Sequence, residues 1–207
     1  NRPLLEQAGD KIMTAREYFL KHAVMLVDTR EKENFELLSV FRHFGLEYDV
    51  DTFKTGDYSF RIDGYDYKDK WLAERKGSLT ELYGNVMAAN KDKTSPLRNN
   101  LEEELRRKMD SGVQEFILFV QGARNLAEIK GFTEPKADRQ GKRAGQHIYA
   151  TIMSWAAANR YNFKVCCQKS QAEIAAEMIN YAYYFWRNDM KEKFGDNFVR
   201  VLQGAKR

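Results

Sequence analysis

The sequence is poor in cysteine and proline, and it contains no long uninterrupted hydrophobic segment. Its two cysteines, Cys166 and Cys167, are neighbours, so they cannot form an ordinary structural disulfide, and they indicate a reducing compartment. No run approaches the roughly 18 apolar residues of a membrane span, and no apolar signal region follows the N-terminus. These absences exclude a disulfide scaffold and predict a cytoplasmic protein with no membrane partner.

The composition predicts a folded globular chain with room for one large domain. Of the 207 residues, 43% are hydrophobic and 31% are charged, which is neither a disordered nor a fibrous composition. The 34 Lys and Arg exceed the 30 Asp and Glu by four, a weakly basic balance that is compatible with nucleic acid without requiring it. The chain begins with Asn1 instead of methionine, so we expect a trimmed chain or a piece of a longer one.

Short apolar segments alternate with segments of helical periodicity along the chain. Asp63-Gly64 is a strong hairpin signal between two of the predicted strands. Short apolar strands separated by helices favour an α/β fold with a central mixed β-sheet flanked by helices. Strands are predicted at 23–27, 46–53, 58–62, 65–76, 115–120 and 163–167, and helices at 4–20, 35–44, 79–89, 97–109, 146–158 and 171–186.

Carboxylates stand where several of these strands begin or end. Side chains alternate along a strand, so Glu74 and Lys76 point to one face and Arg75 to the other. If Asp57 lies on the adjoining arm of the hairpin, it meets Glu74 and Lys76. Asp28 ends another strand.

This combination of residues has a defined chemistry. Two carboxylates, here Asp57 and Glu74, hold Mg²⁺, which keeps several waters and also binds substrate phosphate. Lys76 then orients the attacking water or offsets charge in the transition state. Asp28 and Glu31 complete the metal shell or help to build a second site.

The Glu-x-Lys motif alone carries little information. It occurs three times, at Glu74/Lys76, Glu128/Lys130 and Glu134/Lys136, and a single copy usually indicates solvated surface charge. The first copy differs because it follows Trp71-Leu72-Ala73 in a predicted buried strand, where a charge requires a partner.

Three ordered motifs resemble those of the XPF-type structure-selective nucleases, a branch of the restriction-endonuclease-like fold. V-D-x-R-E occupies 27–31, G-D-Y occupies 56–58 and E-R-K occupies 74–76. Later segments are also similar to the family, namely the strand 116–122, the helix and strand 154–165 and the closing helix 172–183. The resemblance covers roughly residues 22–187, which divides the chain into an N-terminal helical extension (1–21), a nuclease domain (22–190) and a basic tail (191–207).

The resemblance implies a DNA endonuclease that depends on Mg²⁺, for which Mn²⁺ substitutes, and that cuts flaps, forks or four-way junctions in replication, recombination or repair. It implies Asp28, Asp57, Glu74 and Lys76 as catalytic residues, with Asp28, Glu31, Asp57 and Glu74 binding metal. It also implies a homodimer, which the aromatic residues at 181–186 favour. We expect a bacterial or phage protein in the cytoplasm, or a nuclear one in a eukaryote.

The chain also departs from the family pattern. Thr80 stands where the family has an aspartate, with Glu81 beside it as a possible replacement. The family's tandem helix-hairpin-helix domain is not found, and no G-x-x-x-x-G-K-[ST] motif of a helicase occurs.

Several basic and aromatic residues are candidates for DNA contact, each with a plain structural alternative. The glycine-rich segment 131–145 either follows phosphates or is a solvated loop. The two motif arginines contact DNA or form salt bridges, and the motif tyrosine contacts DNA or packs in its strand. The candidates are Arg30, Arg75, Tyr58, Lys136, Arg139, Lys142 and Arg143.

Two other functions fit the same residues. One is a non-catalytic subunit with the nuclease fold that binds DNA or a second chain. Thr80 favours this function, while intact Asp57, Glu74 and Lys76 count against it. The other is a metal-dependent nuclease of a different substrate class, such as a restriction-like or RNA-cleaving enzyme, since a fold does not fix the substrate.

Overall fold

A computed structural model describes residues 13–87, 100–134, 143–157 and 163–205 of the chain. Strands and helices alternate along most of it, as the sequence pattern predicts. In chain order the elements are α1 (Ala15–His22), β1 (Ala23–Asp28), α2 (Phe35–His43), β2 (Glu47–Asp51), β3 (Tyr58–Ile62), β4 (Tyr65–Asp66), β5 (Trp71–Lys76), α3 (Leu79–Met87), α4 (Asn100–Asp110), β6 (Glu115–Gln121), α5 (Leu126–Lys130), α6 (Ala144–Ala157), β7 (Phe163–Gln168), α7 (Gln171–Phe194) and α8 (Phe198–Ala205).

The strands form one mixed sheet in the order β2-β1-β3-β5-β6-β7, with β4 paired to β3. Strand β3 runs antiparallel to both of its neighbours, β1 and β5. Strand β1 is parallel to β2, and the three strands β5, β6 and β7 are parallel to one another. The predicted α/β class with a central mixed sheet is confirmed. Within the described ranges, no helix is both long and apolar enough to cross a bilayer.

Helices cover both faces of the sheet and create two hydrophobic cores. One core lies between the sheet and α1, α2, α7 and α8, and the other lies between the sheet and α3, α4, α5 and α6. A sheet that is covered on both faces buries its central strands completely. All six residues of β5 are buried, including Glu74, Arg75 and Lys76, so these three charges require partners inside the protein.

The hairpin at Asp63-Gly64 forms, but its second arm is divided. Both turn residues have positive φ angles, 51° and 80°, and Ile62 pairs with Tyr65 across a two-residue turn. The single strand predicted over 65–76 is wrong, because the chain leaves the sheet after Asp66. The Asp66 carboxylate accepts a hydrogen bond from the Lys68 N–H at 2.9 Å, an Asx turn that ends β4 before β5 begins.

Both end segments contribute to the core on the α7 side of the sheet. In α1, Tyr18 and Phe19 are fully buried, so this part of the predicted extension packs with the sheet. The predicted basic tail is largely helical: α7 continues to Phe194, and α8 buries Phe198 and Leu202 in the same core. Helix α5 falls where we predicted no element.

We predict that Gly145→Ala destabilises the protein strongly. A Cβ atom there would lie 2.1 Å from the Ile129 carbonyl oxygen and 2.7 Å from the Phe132 nitrogen, so α5 and α6 would have to separate. We expect a loss of about 2–3 kcal/mol in the free energy of unfolding, measured with urea. Gly84→Ala in α3 is the matched control, since its Cβ would meet nothing within 4 Å. It should be neutral or stabilise by up to about 1 kcal/mol, and equal stability of the two variants would contradict the packing of α5 on α6.

Candidate active site

Three carboxylates lie in a row across β1, β3 and β5. Tyr58 pairs with Val27 on one side and with Ala73 on the other, so the adjacent residues Asp28, Asp57 and Glu74 are also in register. The Asp28 N–H donates to the Asp57 carbonyl at 2.8 Å, and the Asp57 N–H donates to the Ala73 carbonyl at 2.9 Å. Residues opposite one another in a ladder share a face, so the row lies on the face covered by α3–α6.

Glu74 is buried, and both of its carboxylate oxygens are bound by lysines. Lys76 Nζ donates to Oε1 at 2.7 Å, and Lys108 Nζ from α4 donates to Oε2 at 2.9 Å. Glu104, one turn before Lys108, lies 3.8 Å from Lys76 Nζ and 3.7 Å from Lys108 Nζ. The lysine expected at Glu74 is therefore present, and α4 adds a second one.

The charged groups of this cluster shift one another's pKa values. Burial by itself would raise the pKa of Glu74, but the ammonium groups of Lys108 and Lys76 outweigh it and lower that pKa. Burial and the Glu74 carboxylate raise the pKa of Asp57 to about 8. Burial would lower the pKa of Lys76, but the carboxylates of Glu74 and Glu104 raise it above its ordinary value. Lys76 is therefore a stable cation.

The Asp28 carboxylate accepts hydrogen bonds from the surrounding backbone and from the Arg30 side chain. Its Oδ1 accepts from the Arg30 N–H at 2.8 Å and from Arg30 Nε at 2.6 Å, and its Oδ2 accepts from the Phe53 N–H at 2.8 Å. Burial opposes ionisation, yet these hydrogen bonds lower the pKa of Asp28. Its role as a metal ligand stays a prediction.

Glu31 faces the opposite side of the sheet, together with Tyr58 and Arg75. Its Oε2 accepts from the Tyr58 hydroxyl at 2.8 Å and from Arg75 Nη2 at 3.0 Å. Arg75 also donates to the Glu33 carbonyl, and both Tyr58 and Arg75 are buried. The structure therefore contains the salt bridge of Arg75 and the packed strand tyrosine Tyr58, which were the structural alternatives that the sequence left open. DNA contact by these two residues and metal binding by Glu31 stay predictions.

The remaining candidates are divided between the surface and undescribed segments. The Arg30 side chain is 64% exposed at the edge of the carboxylate row, and Arg143 is exposed at the start of α6. Lys136, Arg139 and Lys142 lie outside the described residues.

Glu81 accepts a hydrogen bond from the Gly77 N–H at 2.8 Å ahead of α3, so its carboxylate stabilises the helix start.

The carboxylates of Asp57 and Glu74 suit a divalent cation that needs only a few protein ligands. Among the residues that the structure describes, no group of three or more His, Cys, Asp or Glu side chains is arranged to hold a metal ion. Mg²⁺ often takes only one or two carboxylates and completes its shell with water and phosphate oxygens. Asp57 and Glu74 offer two such carboxylates on adjacent strands, and burial together with the Glu74 charge raises the pKa of Asp57. These two residues therefore fit Mg²⁺ or Mn²⁺.

Sequence reasoning missed Glu104 and Lys108. The stripe Leu97, Leu101, Leu105 and Met109 indicates a helix but identifies only its apolar positions. The buried residues include Leu101, Leu105 and Lys108, so the inward face turns toward Lys108. A lysine three residues after a core leucine is the signal that would have placed it inside.

Comparison with known proteins places this geometry in a family. The family model of the ERCC4 domain matches residues 27–181, an interval that contains the sheet from the end of β1 to β7. The chain belongs to the ERCC4 domain family. No curated protein matches it.

Two solved structures share the fold of this ERCC4 domain. XPF from Aeropyrum pernix superposes with a TM-score of 0.55 at 16% identity, covering 82% of this chain and 69% of that one. XPF from Aeropyrum pernix in complex with DNA superposes with a TM-score of 0.52 at 16% identity, covering 80% of this chain and 66% of that one. The resemblance to XPF-type proteins is confirmed, and so is the fold.

We predict that Lys108→Met lowers stability by about 3 kcal/mol, because it removes one partner of a buried ion pair and leaves the charge of Glu74 less compensated. Urea unfolding measures the loss. Arg106→Met on the same helix is the matched control, since its ion pair with Asp110 is exposed. That change should cost less than about 1 kcal/mol. A Lys108 variant as stable as the control would show that the ion pair contributes nothing.

Proposed function

We propose that this ERCC4-domain protein is a divalent-metal-dependent DNA endonuclease that hydrolyses phosphodiester bonds at flaps, forks or four-way junctions. The observation that carries the proposal is the position of Asp57 opposite Glu74 on adjacent strands, with the Lys76 ammonium 2.7 Å from Glu74. The preference for branched DNA rests on the resemblance to XPF-type nucleases. Mg²⁺ is the proposed cofactor, with Mn²⁺ as a substitute.

Each residue of the cluster has a role in this proposal. Asp57 and Glu74 hold the cation, which when bound acidifies water and stabilises charge on the phosphate. Lys76 remains protonated because its carboxylate neighbours raise its pKa, so it donates hydrogen bonds and does not act as a base. Its positive charge favours the transition state, in which negative charge builds up as water attacks phosphorus and the ester oxygen leaves.

Three observations support DNA as the partner. One of the structures with the same fold is a complex with DNA. The chain carries a formal net charge of +4, and Arg30 is exposed next to the carboxylate row. Basic side chains favour DNA binding because neutralising its phosphates releases the counterions that are condensed on the DNA.

A non-catalytic DNA-binding subunit is the second candidate, and one feature favours it. Both oxygens of Glu74 are bound by ammonium groups, an arrangement that satisfies the buried carboxylate without a metal. A cation must displace or share one of these contacts. In such a subunit the cluster would serve to hold β5 against α4.

The homodimer and the cellular location stay predictions. Helix α7 turns most of its aromatic side chains toward the core: Trp186 is buried, and of the aromatic residues at 181–186 only Tyr184 is exposed. One exposed tyrosine is weaker support for a dimer interface than the sequence suggested.

We predict that the wild-type protein cuts a flap or a four-way junction in Mg²⁺ faster than it cuts a linear duplex, and that it cuts none of them in EDTA. Asp57→Asn and Lys76→Met should lower the single-turnover rate by about 100-fold or more, since each removes charge that acts in the transition state. Asp196→Asn and Lys21→Met make the same chemical changes at exposed positions and should cut normally. Circular dichroism verifies that all variants are folded, and undiminished cutting by either site variant would overturn the assignment.

We further predict that calorimetric titration with Mn²⁺ detects a site that Asp57→Asn weakens by about 10-fold or more, because a carboxylate is replaced by an uncharged amide. Asp196→Asn should bind Mn²⁺ as the wild type does. A wild-type protein that binds DNA but no Mn²⁺ would establish the non-catalytic subunit instead.

A further inference from the structure

Lys108 is a fully buried lysine that the proposed hydrolysis does not use. It lies near the end of α4 and has no exposed surface. Its Nζ atom is 2.9 Å from Glu74 Oε2 and 3.8 Å from the centre of the Phe116 ring. A lysine that is removed from water needs a carboxylate to compensate its charge. Glu74 is therefore the group that holds this ammonium inside the protein.

The Lys108 ammonium occupies one half of a proposed metal ligand. Lys76 binds Oε1 of Glu74 at 2.7 Å, and Lys108 binds Oε2. In the proposed mechanism Lys76 stays beside Glu74 to favour the transition state, which leaves Oε2 as the oxygen for the divalent cation. A divalent cation and an ammonium that share one carboxylate oxygen repel each other strongly where water is excluded. The ion therefore binds this oxygen only when Lys108 leaves it.

Glu104 offers a second carboxylate to which Lys108 can move. It lies one turn before Lys108 on α4, and its Oε1 atom is 3.7 Å from the lysine Nζ. This separation is longer than a hydrogen bond, so a small rotation of the lysine side chain would exchange one carboxylate partner for the other. A glutamate four residues before a lysine is also the favourable order for a pair on a helix. The exchange requires neither exposure of the lysine to solvent nor separation of α4 from the sheet.

We propose that Lys108 is an internal competitor of the metal ion. It neutralises Glu74 in the metal-free protein and transfers to Glu104 when a divalent cation binds. The inference deepens the proposed function and rests on it for the identity of the ligand, a divalent cation at Asp57 and Glu74. Lys108 is thus a positioning residue, because it acts on the ion through Glu74. The competition lowers the affinity for the ion and so sets the metal concentration at which the protein becomes active.

The first test is calorimetric titration of Mn²⁺ into the wild type, Lys108→Met and Lys108→Gln. Both substitutions remove the ammonium, and the glutamine variant keeps a hydrogen-bond donor for Glu74 in case the methionine variant does not fold. Arg106→Met is the matched control, since it removes a positive charge from an exposed position on the same helix. We expect both Lys108 variants to bind Mn²⁺ about 10-fold or more tightly than the wild type, because a like charge this close disfavours the ion. The control should bind as the wild type does.

The sign of the change separates this role from a merely structural one. A lysine that only stabilises the fold would loosen the site when it is removed, and Mn²⁺ binding would weaken. Urea unfolding adds a second readout: at one Mn²⁺ concentration the ion should stabilise Lys108→Met more than the wild type, because a tighter ligand stabilises more. Equal or weaker binding by both Lys108 variants, or a gain in affinity that survives the addition of Asp57→Asn, would overturn the inference.

The second test identifies the carboxylate that receives the lysine. Glu104→Gln removes that carboxylate and should weaken Mn²⁺ binding by about 10-fold. In the Lys108→Met background the same substitution should cost much less, since Lys108 is no longer there to be received; a double-mutant cycle measures this coupling. Asp110→Asn removes an exposed carboxylate from the same helix and should leave the affinity unchanged. Equal losses in both backgrounds would overturn the transfer to Glu104.

A parallel cleavage assay in Mg²⁺ separates this inference from the proposed function. A wild type that cuts branched DNA, with Lys108 variants that gain no affinity for Mn²⁺, would refute the competitor and leave the endonuclease in place. A wild type that neither binds Mn²⁺ nor cuts, with Lys108 variants that do bind the ion, would refute the endonuclease and support the competitor. A failure of the wild type and of the variants alike to bind Mn²⁺ would overturn the competitor.

Discussion

The antiparallel pairing of β3 with β5 is the constraint on which the candidate site depends. It puts Asp57 opposite Glu74 in the middle of a sheet that helices cover on both faces. Two carboxylates at such a depth repel each other and lose hydration, so the protein needs compensating positive charge. Lys76 and Lys108 provide it for Glu74. Asp57 has no such ion pair among the described residues, and its burial together with the Glu74 charge raises its pKa to about 8.

The E-R-K segment is anchored on both faces of the sheet by its alternating side chains. On the α4 face, Glu74 and Lys76 join Lys108, while on the other face Arg75 binds Glu31 beside Tyr58. Buried ion pairs of this kind fix geometry more than they add stability. The same contacts that tie β5 to α4 and to the loop after β1 therefore hold the carboxylates in register.

Much of this arrangement follows from the sequence. The alternation of side chains in a strand placed Glu74 and Lys76 on one face, and the hairpin signal at Asp63-Gly64 brought Asp57 toward them. The division between β4 and β5 was not predicted, because one Asx turn at Asp66 decides it. The face of the sheet on which Glu31 lies depends on the path of the loop after β1. No local pattern in a single sequence encodes that path.

Longer-range packing accounts for the other differences. Lys108 and Glu104 join the site only because α4 turns one particular face to the sheet, and a leucine spacing of four permits more than one face. Helix α8 is short, and its burial of Phe198 and Leu202 depends on α7 extending to Phe194. In both cases tertiary contacts decide what local propensity leaves open.

The most direct measurement is anomalous diffraction from a crystal of the wild-type protein soaked in Mn²⁺. The account predicts an anomalous peak in contact with the carboxylates of both Asp57 and Glu74, with Lys76 beside it. A peak bound only by Asp28 or Glu31, or an ordered cluster with no peak at all, would contradict it.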